Sequence, residues 1–172
     1  MTRRAIALLL LSGTAFIALC YASLDRPHPM LVYNASTSVP KGWYRINAAS
    51  LFKPGDWVLV RLPANASTLA MQRGYLPTTV PLLKPVTAVA PQRVCVEQRN
   101  VIVDGKVVAR QLRHDRLGRP LPAWHACRRL SDDELLLLST SNAESFDSRY
   151  FGPVRINAVI GRALPLRLPT HQ

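Results

Sequence analysis

Residues 100–109, NVIVDGKVVA, decide the fold class of this chain. Two valine-rich arms flank Asp104-Gly105, and a two-residue Asp-Gly connection between such arms is a strong signal for a tight β-hairpin. The arms should therefore pair as antiparallel strands. The hairpin predicts that the surrounding domain is built mainly from short β-strands.

Apolar, β-branched runs extend this pattern in both directions along the chain. Fourteen prolines spread through 172 residues also favour short strands and loops over long helices. A short helix is expected after Asn65, ended by Gly74 and Pro77. Strands are predicted at residues 57–61, 82–89 and 93–96, in the leucine run of SDDELLLL (131–138), and in INAVIGRALPL (156–166) with a bend at Gly161.

The leucine run permits a second interpretation. The spacing from Ser131 to Glu134 is that of a capping box, which would open a helix. Four leucines followed at once by Ser-Thr-Ser-Asn are short for a helix, so a turn and a buried strand are predicted. The sum of these elements is a mostly β, antiparallel domain.

The start of the chain differs from the rest because residues 5–24 carry no charge. Twenty such residues can span a bilayer, and the preceding Arg3-Arg4 should stay on the cytoplasmic side. We predict a cytoplasmic segment at residues 1–4, a transmembrane signal-anchor at residues 5–24 and an exported domain at residues 25–172.

Two other interpretations of the uncharged segment stay open. Cys20-Tyr21-Ala22 loosely resembles the cleavage site of a removable signal peptide, although the apolar run exceeds the usual core of about 7 to 15 residues. Residues 17–20 resemble a lipoprotein attachment site, but Leu19 is bulky where a small residue is required. The uncleaved anchor remains the favoured prediction.

Cys95 and Cys127 are the two cysteines of the predicted exported domain. An oxidising compartment favours joining them, so we predict a Cys95–Cys127 disulfide. A zinc site is the alternative, but His114 and His125 show no ligand spacing with these cysteines. The sequence therefore predicts neither a metal nor another cofactor.

The formal net charge of +12 comes from lysines and arginines scattered along the chain, which predicts a basic folded surface. Nucleic acid is one partner for such a surface, but a domain tethered to a membrane meets anionic lipid head groups more readily. We therefore expect the membrane as a partner and no nucleic acid. A merely soluble cationic surface is equally compatible with this charge.

The stretch TSVPKGWY, residues 37–44, contains Ser38 in an S-x-P-x-G pattern that is also ordinary turn chemistry. A serine hydroxyl becomes a nucleophile only when a base takes its proton. The four histidines lie in proline-rich or charged loops or at the C-terminus, so a Ser-His-Asp site is not favoured. Lysine is the other candidate base.

Lys84 lies in the apolar stretch PLLKPVTAV, residues 81–89. Burial would disfavour its charged form and bring its pKa towards neutrality. In the alternative interpretation, Lys84 lies on an edge strand and extends to water. A third stretch, SFDSRYFGPV at residues 145–154, places Ser145 and Ser148 where they could orient an amine, and Asp147 and Arg149 where they could pair.

Together these stretches resemble the Ser-Lys signal peptidase family, and most closely its conjugative-transfer branch. The resemblance covers nearly the whole chain. It rests on NASTSVPKGWYRI, PGDWVLVRLP, GYLPTTVPLLKPVTAV, CRRLSDDELLLLSTSNAESFDSRYFGPV and VIGRALPL, in that order.

The resemblance implies a role for each matching residue. Ser38 matches the nucleophile and Lys84 the general base. Ser36 matches a hydroxyl that completes the oxyanion hole with the backbone N–H of Ser38. Ser145 matches the hydroxyl that orients the lysine amine. Asp147 and Arg149 match a structural ion pair.

Two departures from the family pattern lie close to the lysine. Pro85 follows Lys84 where the signal peptidases usually carry arginine, and APQRV, residues 90–94, replaces their Pro-Gly-Asp turn. A proline removes a backbone donor beside the base, so it bears on the local strand pairing.

The resemblance implies a serine endopeptidase anchored in the bacterial inner membrane, with a signal-peptidase-like β domain in the periplasm. The implied substrate is an exported precursor protein, namely the pilin of a conjugation apparatus. Whether the pilin is also closed into a ring stays open. A general type I signal peptidase is one alternative. A non-catalytic anchored scaffold of a secretion or conjugation complex is an alternative of another class.

Overall fold

A computed structural model describes residues 11–17 and 31–166 of the chain. Short strands dominate the described part. Three α-helices accompany them, namely α1 (residues 11–17), α2 (Ala64–Gln72) and α3 (Ser148–Phe151), together with one 3-10 helix (Ile156–Ala158). The strands are β1 (Leu31–Asn34), β2 (Gly42–Asn47), β3 (Trp57–Val60), β4 (Leu82–Val89), β5 (Arg93–Glu97), β6 (Asn100–Val103), β7 (Lys106–Arg110), β8 (Cys127–Arg129), β9 (Glu134–Leu137), β10 (Val154–Arg155) and β11 (Val159–Pro165).

The strands form two sheets, and neighbouring strands within each sheet are antiparallel. The larger sheet has the order β1-β2-β11-β3-β4-β9-β10, and the smaller one has the order β7-β6-β5-β8. The predicted mostly β, antiparallel class is confirmed. The sequence did not single out β1, β2, β8 or β10.

The predicted hairpin joins β6 and β7, with Val103 opposite Lys106. Asp104 and Gly105 have φ values of 46° and 81°. Two consecutive positive φ values are what a two-residue hairpin turn requires, because they match the twist of the flanking strands. In the same sheet Cys95 lies opposite Cys127, and a disulfide joins the two residues.

The leucine run forms strand β9 rather than a helix. Leu135 and Leu137 pack into one apolar cluster, while Leu136 and Leu138 pack into another that also contains side chains of the smaller sheet. Successive side chains of a strand point to opposite faces, so a strand covered on both faces reads as a continuous apolar run. This burial explains why the four leucines show no alternation.

The last strand bends where the sequence places Gly161. The pairing of β11 with β3 shifts register between Val159 and Gly161. A Cβ atom at position 161 would lie 2.5 Å from the carbonyl oxygen of Asn47, so the neighbouring strand leaves room only for glycine. Helix α2 begins at Ala64 and ends before Gly74, as predicted within two residues.

The predicted anchor, residues 5–24, lies partly outside the described residues, and residues 1–4 lie wholly outside them. Residues 11–17 of that segment are helical and exposed. Among the helices that the structure describes, none combines the length and apolar character needed to cross a bilayer. The anchor and the topology remain predictions.

Candidate active site

Ser38 lies in the turn that connects β1 to β2, and it is buried. The turn ends at Gly42, whose φ of 144° is a conformation that residues with a side chain rarely adopt. Pro40, which has no N–H to satisfy, precedes it. The S-x-P-x-G pattern is therefore a turn, as its composition indicates, and this turn presents Ser38 to the interior.

Lys84 lies on β4, which is an inner strand between β3 and β9. Its side chain is 2% exposed, so the alternative of an edge lysine extending to water is wrong. The Nζ atom lies 2.5 Å from Ser38 Oγ and 2.5 Å from Ser145 Oγ. The two hydroxyl oxygens are 3.2 Å apart. Three residues far apart in sequence thus form one compact polar cluster.

Burial lowers the pKa of the Lys84 amine to about 8. The negative charge of Asp147 opposes this change, and the positive charge of Arg149 reinforces it. Near pH 8 about half of the molecules carry a neutral amine, which can accept a proton. An ordinary exposed lysine would hold almost none of its population in that form.

Pro85 fits this inner strand because it lies just outside the paired part of β4 and β9, so its missing N–H breaks no hydrogen bond between these two strands. The pairing of β4 with β9 begins at Val86 opposite Leu137, one residue beyond the proline. The carbonyl of Pro85 still accepts a hydrogen bond from the N–H of Leu138, at 3.3 Å. The departure from the family pattern therefore leaves the strand that carries Lys84 intact.

A buried ion pair anchors the loop that carries Ser145. Arg149 donates from Nε and Nη2 to the two carboxylate oxygens of Asp147, at 2.7 and 3.0 Å, and both side chains are at most 1% exposed. Arg149 also donates to the carbonyls of Ser139 and Ala143, at 2.7 and 2.8 Å. One side chain thus ties both ends of the loop together.

The other hydroxyl considered as an orienting group takes no part in the cluster. Ser148 Oγ accepts a hydrogen bond from the N–H of Leu137 at 3.1 Å, so it satisfies the backbone of β9. The expectation that Ser148 could orient an amine is wrong for Lys84. Ser145 makes that contact.

Sequence reasoning missed Ser139, which contacts the backbone of Ser38. Ser139 Oγ donates to the carbonyl oxygen of Ser38 at 2.8 Å, and its N–H donates to Asp147 at 3.0 Å. Ser139, which is buried, therefore connects the Asp147–Arg149 ion pair to the turn that carries Ser38 through two hydrogen bonds. The run of hydroxyl residues directly after the β9 leucines was the available signal.

Ser36 lies on the same turn as Ser38 and is exposed. Its hydroxyl donates to Asn34 Oδ1 at 2.8 Å. Its predicted contribution to an oxyanion hole, with the N–H of Ser38, remains a prediction.

A cleft of about 840 Å³ opens beside the cluster. Ser38, Lys84 and Ser145 line it together with mainly apolar side chains, among them Leu76, Leu82, Leu83, Leu121 and Phe146. A cleft of this size and character can hold several residues of an extended peptide next to the Ser38 hydroxyl.

The zinc alternative at the cysteines is not supported. The sulfur atoms of Cys95 and Cys127 are bonded to each other, so neither is a free thiolate ligand. Glu97 is the remaining ligand-type residue of that group within the described residues.

Comparison with known proteins gives matches over most of the chain. A family model described as "Signal peptidase, peptidase S26" matches residues 2–166. The plasmid transfer protein TraF of Escherichia coli is 33% identical over 131 residues, which cover 70% of this chain and 73% of that protein. The conjugal transfer protein TraF of Agrobacterium fabrum (strain C58) is 34% identical over 145 residues, which cover 77% and 80%.

Among solved structures, a signal peptidase I of Enterococcus faecalis V583 matches with a TM-score of 0.39 and 12% identity, covering 67% of this chain and 98% of that one. The sequence matches confirm the resemblance drawn from the motifs, including its conjugative-transfer branch.

Proposed function

The chain belongs to the signal peptidase family, peptidase S26, and on that premise we propose that it is a serine endopeptidase whose nucleophile is Ser38 and whose base is Lys84. One observation carries the proposal: the buried Lys84 amine lies 2.5 Å from both Ser38 Oγ and Ser145 Oγ.

The chemistry begins when the neutral amine of Lys84 accepts the proton of Ser38 while one of its own N–H bonds stays directed at Ser145. Ser38 Oγ then attacks the scissile carbonyl, and the new oxyanion is bound by the N–H of Ser38 and the hydroxyl of Ser36. The lysine next gives its proton to the leaving amine. A water molecule, deprotonated by the same lysine, then hydrolyses the acyl-enzyme.

The substrate we propose is an exported precursor protein. Two of the relatives are named plasmid or conjugal transfer proteins, which favours a precursor of a conjugation apparatus, the pilin subunit. We further propose that the chain is held in the bacterial inner membrane by residues 5–24, with the catalytic domain in the periplasm. An amine of the pilin itself could replace water at the acyl-enzyme and close the product into a ring.

Covalent labelling tests the peptidase assignment. A penem, a β-lactam that acylates activated serines, is expected to label wild-type protein at Ser38 and to leave Ser38→Ala unlabelled, as read by peptide mass spectrometry. Absence of labelling at Ser38 would favour the non-catalytic scaffold and would refute the proposal.

Co-expression with a pilin precursor tests the substrate. Loss of the leader mass is expected with wild-type protein and not with Ser38→Ala. Loss of one further water would show ring closure. Equal cleavage of unrelated exported precursors would instead favour a general type I signal peptidase.

A further inference from the structure

Asn34, the last residue of β1, holds together the turn that carries Ser38. Its side chain is 7% exposed. The Nδ2 atom lies within hydrogen-bond distance of the carbonyl oxygens of Ser36, Val39 and Pro40, at 2.9, 3.0 and 3.1 Å. Its two hydrogens serve these three acceptors, so one hydrogen is shared between two carbonyls. These acceptors lie on both sides of Ser38. The turn therefore closes around a single amide group, with Ser38 between its attachment points.

The oxygen of the same amide holds Ser36. Asn34 Oδ1 accepts from the N–H of Ser36 at 3.1 Å and from its hydroxyl at 2.8 Å. A serine hydroxyl has one hydrogen to donate, so it cannot donate to Asn34 and to a substrate oxyanion at the same time. When the hydroxyl rotates towards the oxyanion, Asn34 Oδ1 keeps the backbone N–H of Ser36 as a partner. The exchange leaves no buried acceptor without a donor.

We propose that Asn34 is a positioning residue for the acylation step, an inference that rests on the proposed peptidase function. Through three backbone carbonyls it fixes Ser38 at the Lys84 amine. Through its oxygen it holds the backbone N–H of Ser36, which keeps this residue in place when its hydroxyl turns from Asn34 to the oxyanion. All five hydrogen bonds of the amide go to the turn itself, so Asn34 acts through its neighbours rather than on the substrate.

Two substitutions separate the functions of the amide. Asn34→Asp has nearly the same shape and keeps the two bonds that Oδ1 accepts, but a carboxylate cannot donate to the three carbonyls. Asn34→Ala removes all five bonds. The matched control is Asn65→Ala, since Asn65 is exposed on α2 and does not line the cleft.

The test is the time course of Ser38 acylation by a penem in the full chain, followed by mass spectrometry. We expect both Asn34 variants to reach the same final labelled fraction as wild type, about 10- to 100-fold more slowly, because displacement of a nucleophile by about 1 Å can cost that much.

The KM for a precursor substrate should change less than about threefold. The inflection of the rate near pH 8 should persist in Asn34→Ala, since Lys84 keeps its surroundings. Asn65→Ala should match wild type.

Each other outcome overturns the inference. An acylation rate within twofold of wild type in either folded variant would show that the amide does not position Ser38. A smaller labelled fraction with the wild-type rate, or loss of folding in both variants, would show that Asn34 only stabilises the domain. If wild-type Ser38 itself is not acylated, the proposed function fails and the inference fails with it. Normal wild-type acylation together with unaffected Asn34 variants refutes the inference alone.

Discussion

The Nζ atom of Lys84 lies 2.5 Å from Ser145 Oγ, the same distance that separates it from Ser38 Oγ. The amine is thus held between two hydroxyls, of which one is the proposed nucleophile and the other an anchor. A lysine side chain has four rotatable bonds, and a second contact reduces the number of positions that its amine can take.

Replacing the anchor should slow catalysis without removing it. In Ser145→Ala, the Lys84 amine loses one of its two side-chain partners and spends less time at Ser38, so kcat for precursor cleavage should fall about 10- to 100-fold. Circular dichroism should show an unchanged fold. The control is Ser50→Ala, at an exposed position outside the cleft. A kcat equal to that of wild type would remove Ser145 from the site.

The oxyanion role of Ser36 predicts a loss of turnover with little loss of binding. Removing one oxyanion donor typically costs about 100- to 1000-fold in kcat. Ser36→Ala should show this loss while its thermal unfolding and its KM stay close to wild type, because Ser36 is exposed and its hydroxyl makes one hydrogen bond, to Asn34, among the described residues. Wild-type turnover in this variant would make Ser36 an ordinary turn residue.

The buried ion pair predicts an asymmetric response to substitution. Asp147→Asn leaves the Arg149 guanidinium buried without a counter-charge, so the free energy of unfolding should fall by about 3–5 kcal/mol in urea titrations. Replacing both residues together, as Asp147→Leu with Arg149→Met, should cost less than the single change. A double variant that is less stable than Asp147→Asn would contradict this explanation.

Burial of the charged Lys84 amine should lower the free energy of unfolding, and a neutral side chain at this position should restore it. The pKa of Lys84 falls from 10.5 in the unfolded chain to about 8, a gap equivalent to about 3 kcal/mol. Between these two pKa values the unfolded state binds more protons, so this contribution makes wild-type stability increase as pH rises from about 8 to 10.5. Below pH 8 the full penalty applies.

Lys84→Met should therefore raise the free energy of unfolding at pH 7 by about 1–3 kcal/mol while abolishing activity. It should also remove the part of the pH dependence above pH 8. The control is Lys53→Met, at an exposed position, which should change neither the free energy of unfolding nor the activity. A destabilised Lys84→Met would show that the amine contributes more through its two hydrogen bonds than its burial costs.

Local sequence signals predicted the elements that depend on neighbouring residues. Asp104-Gly105 specified its hairpin because two positive φ values are easily reached by these residue types. Cys95 and Cys127 were paired correctly because they are the two cysteines within residues 25–172, the predicted exported domain. Strand β1 was missed because its residues, LVYN, are too few to show a period.

The assembly of the site depended on a resemblance rather than on pattern. Nothing in the residues around Ser38, Lys84 and Ser145 indicates that they meet, since the cluster forms only when β4 pairs inside the larger sheet. Ser139 and Asn34 were missed for a related reason. Their roles lie in hydrogen bonds to particular backbone atoms of the Ser38 turn, and backbone geometry of that kind is not encoded in residue type.

The most direct test of the Ser38–Lys84 mechanism is the pH dependence of precursor cleavage in wild type and in Lys84→Arg. Arginine keeps a positive charge and much of the side-chain length but stays protonated at every accessible pH, so it cannot act as the base. We predict that wild-type kcat/KM rises with pH through an inflection near 8, where the amine becomes neutral, and that Lys84→Arg is as inactive as Ser38→Ala at every pH. Near-normal cleavage by a folded Lys84→Arg would contradict the mechanism.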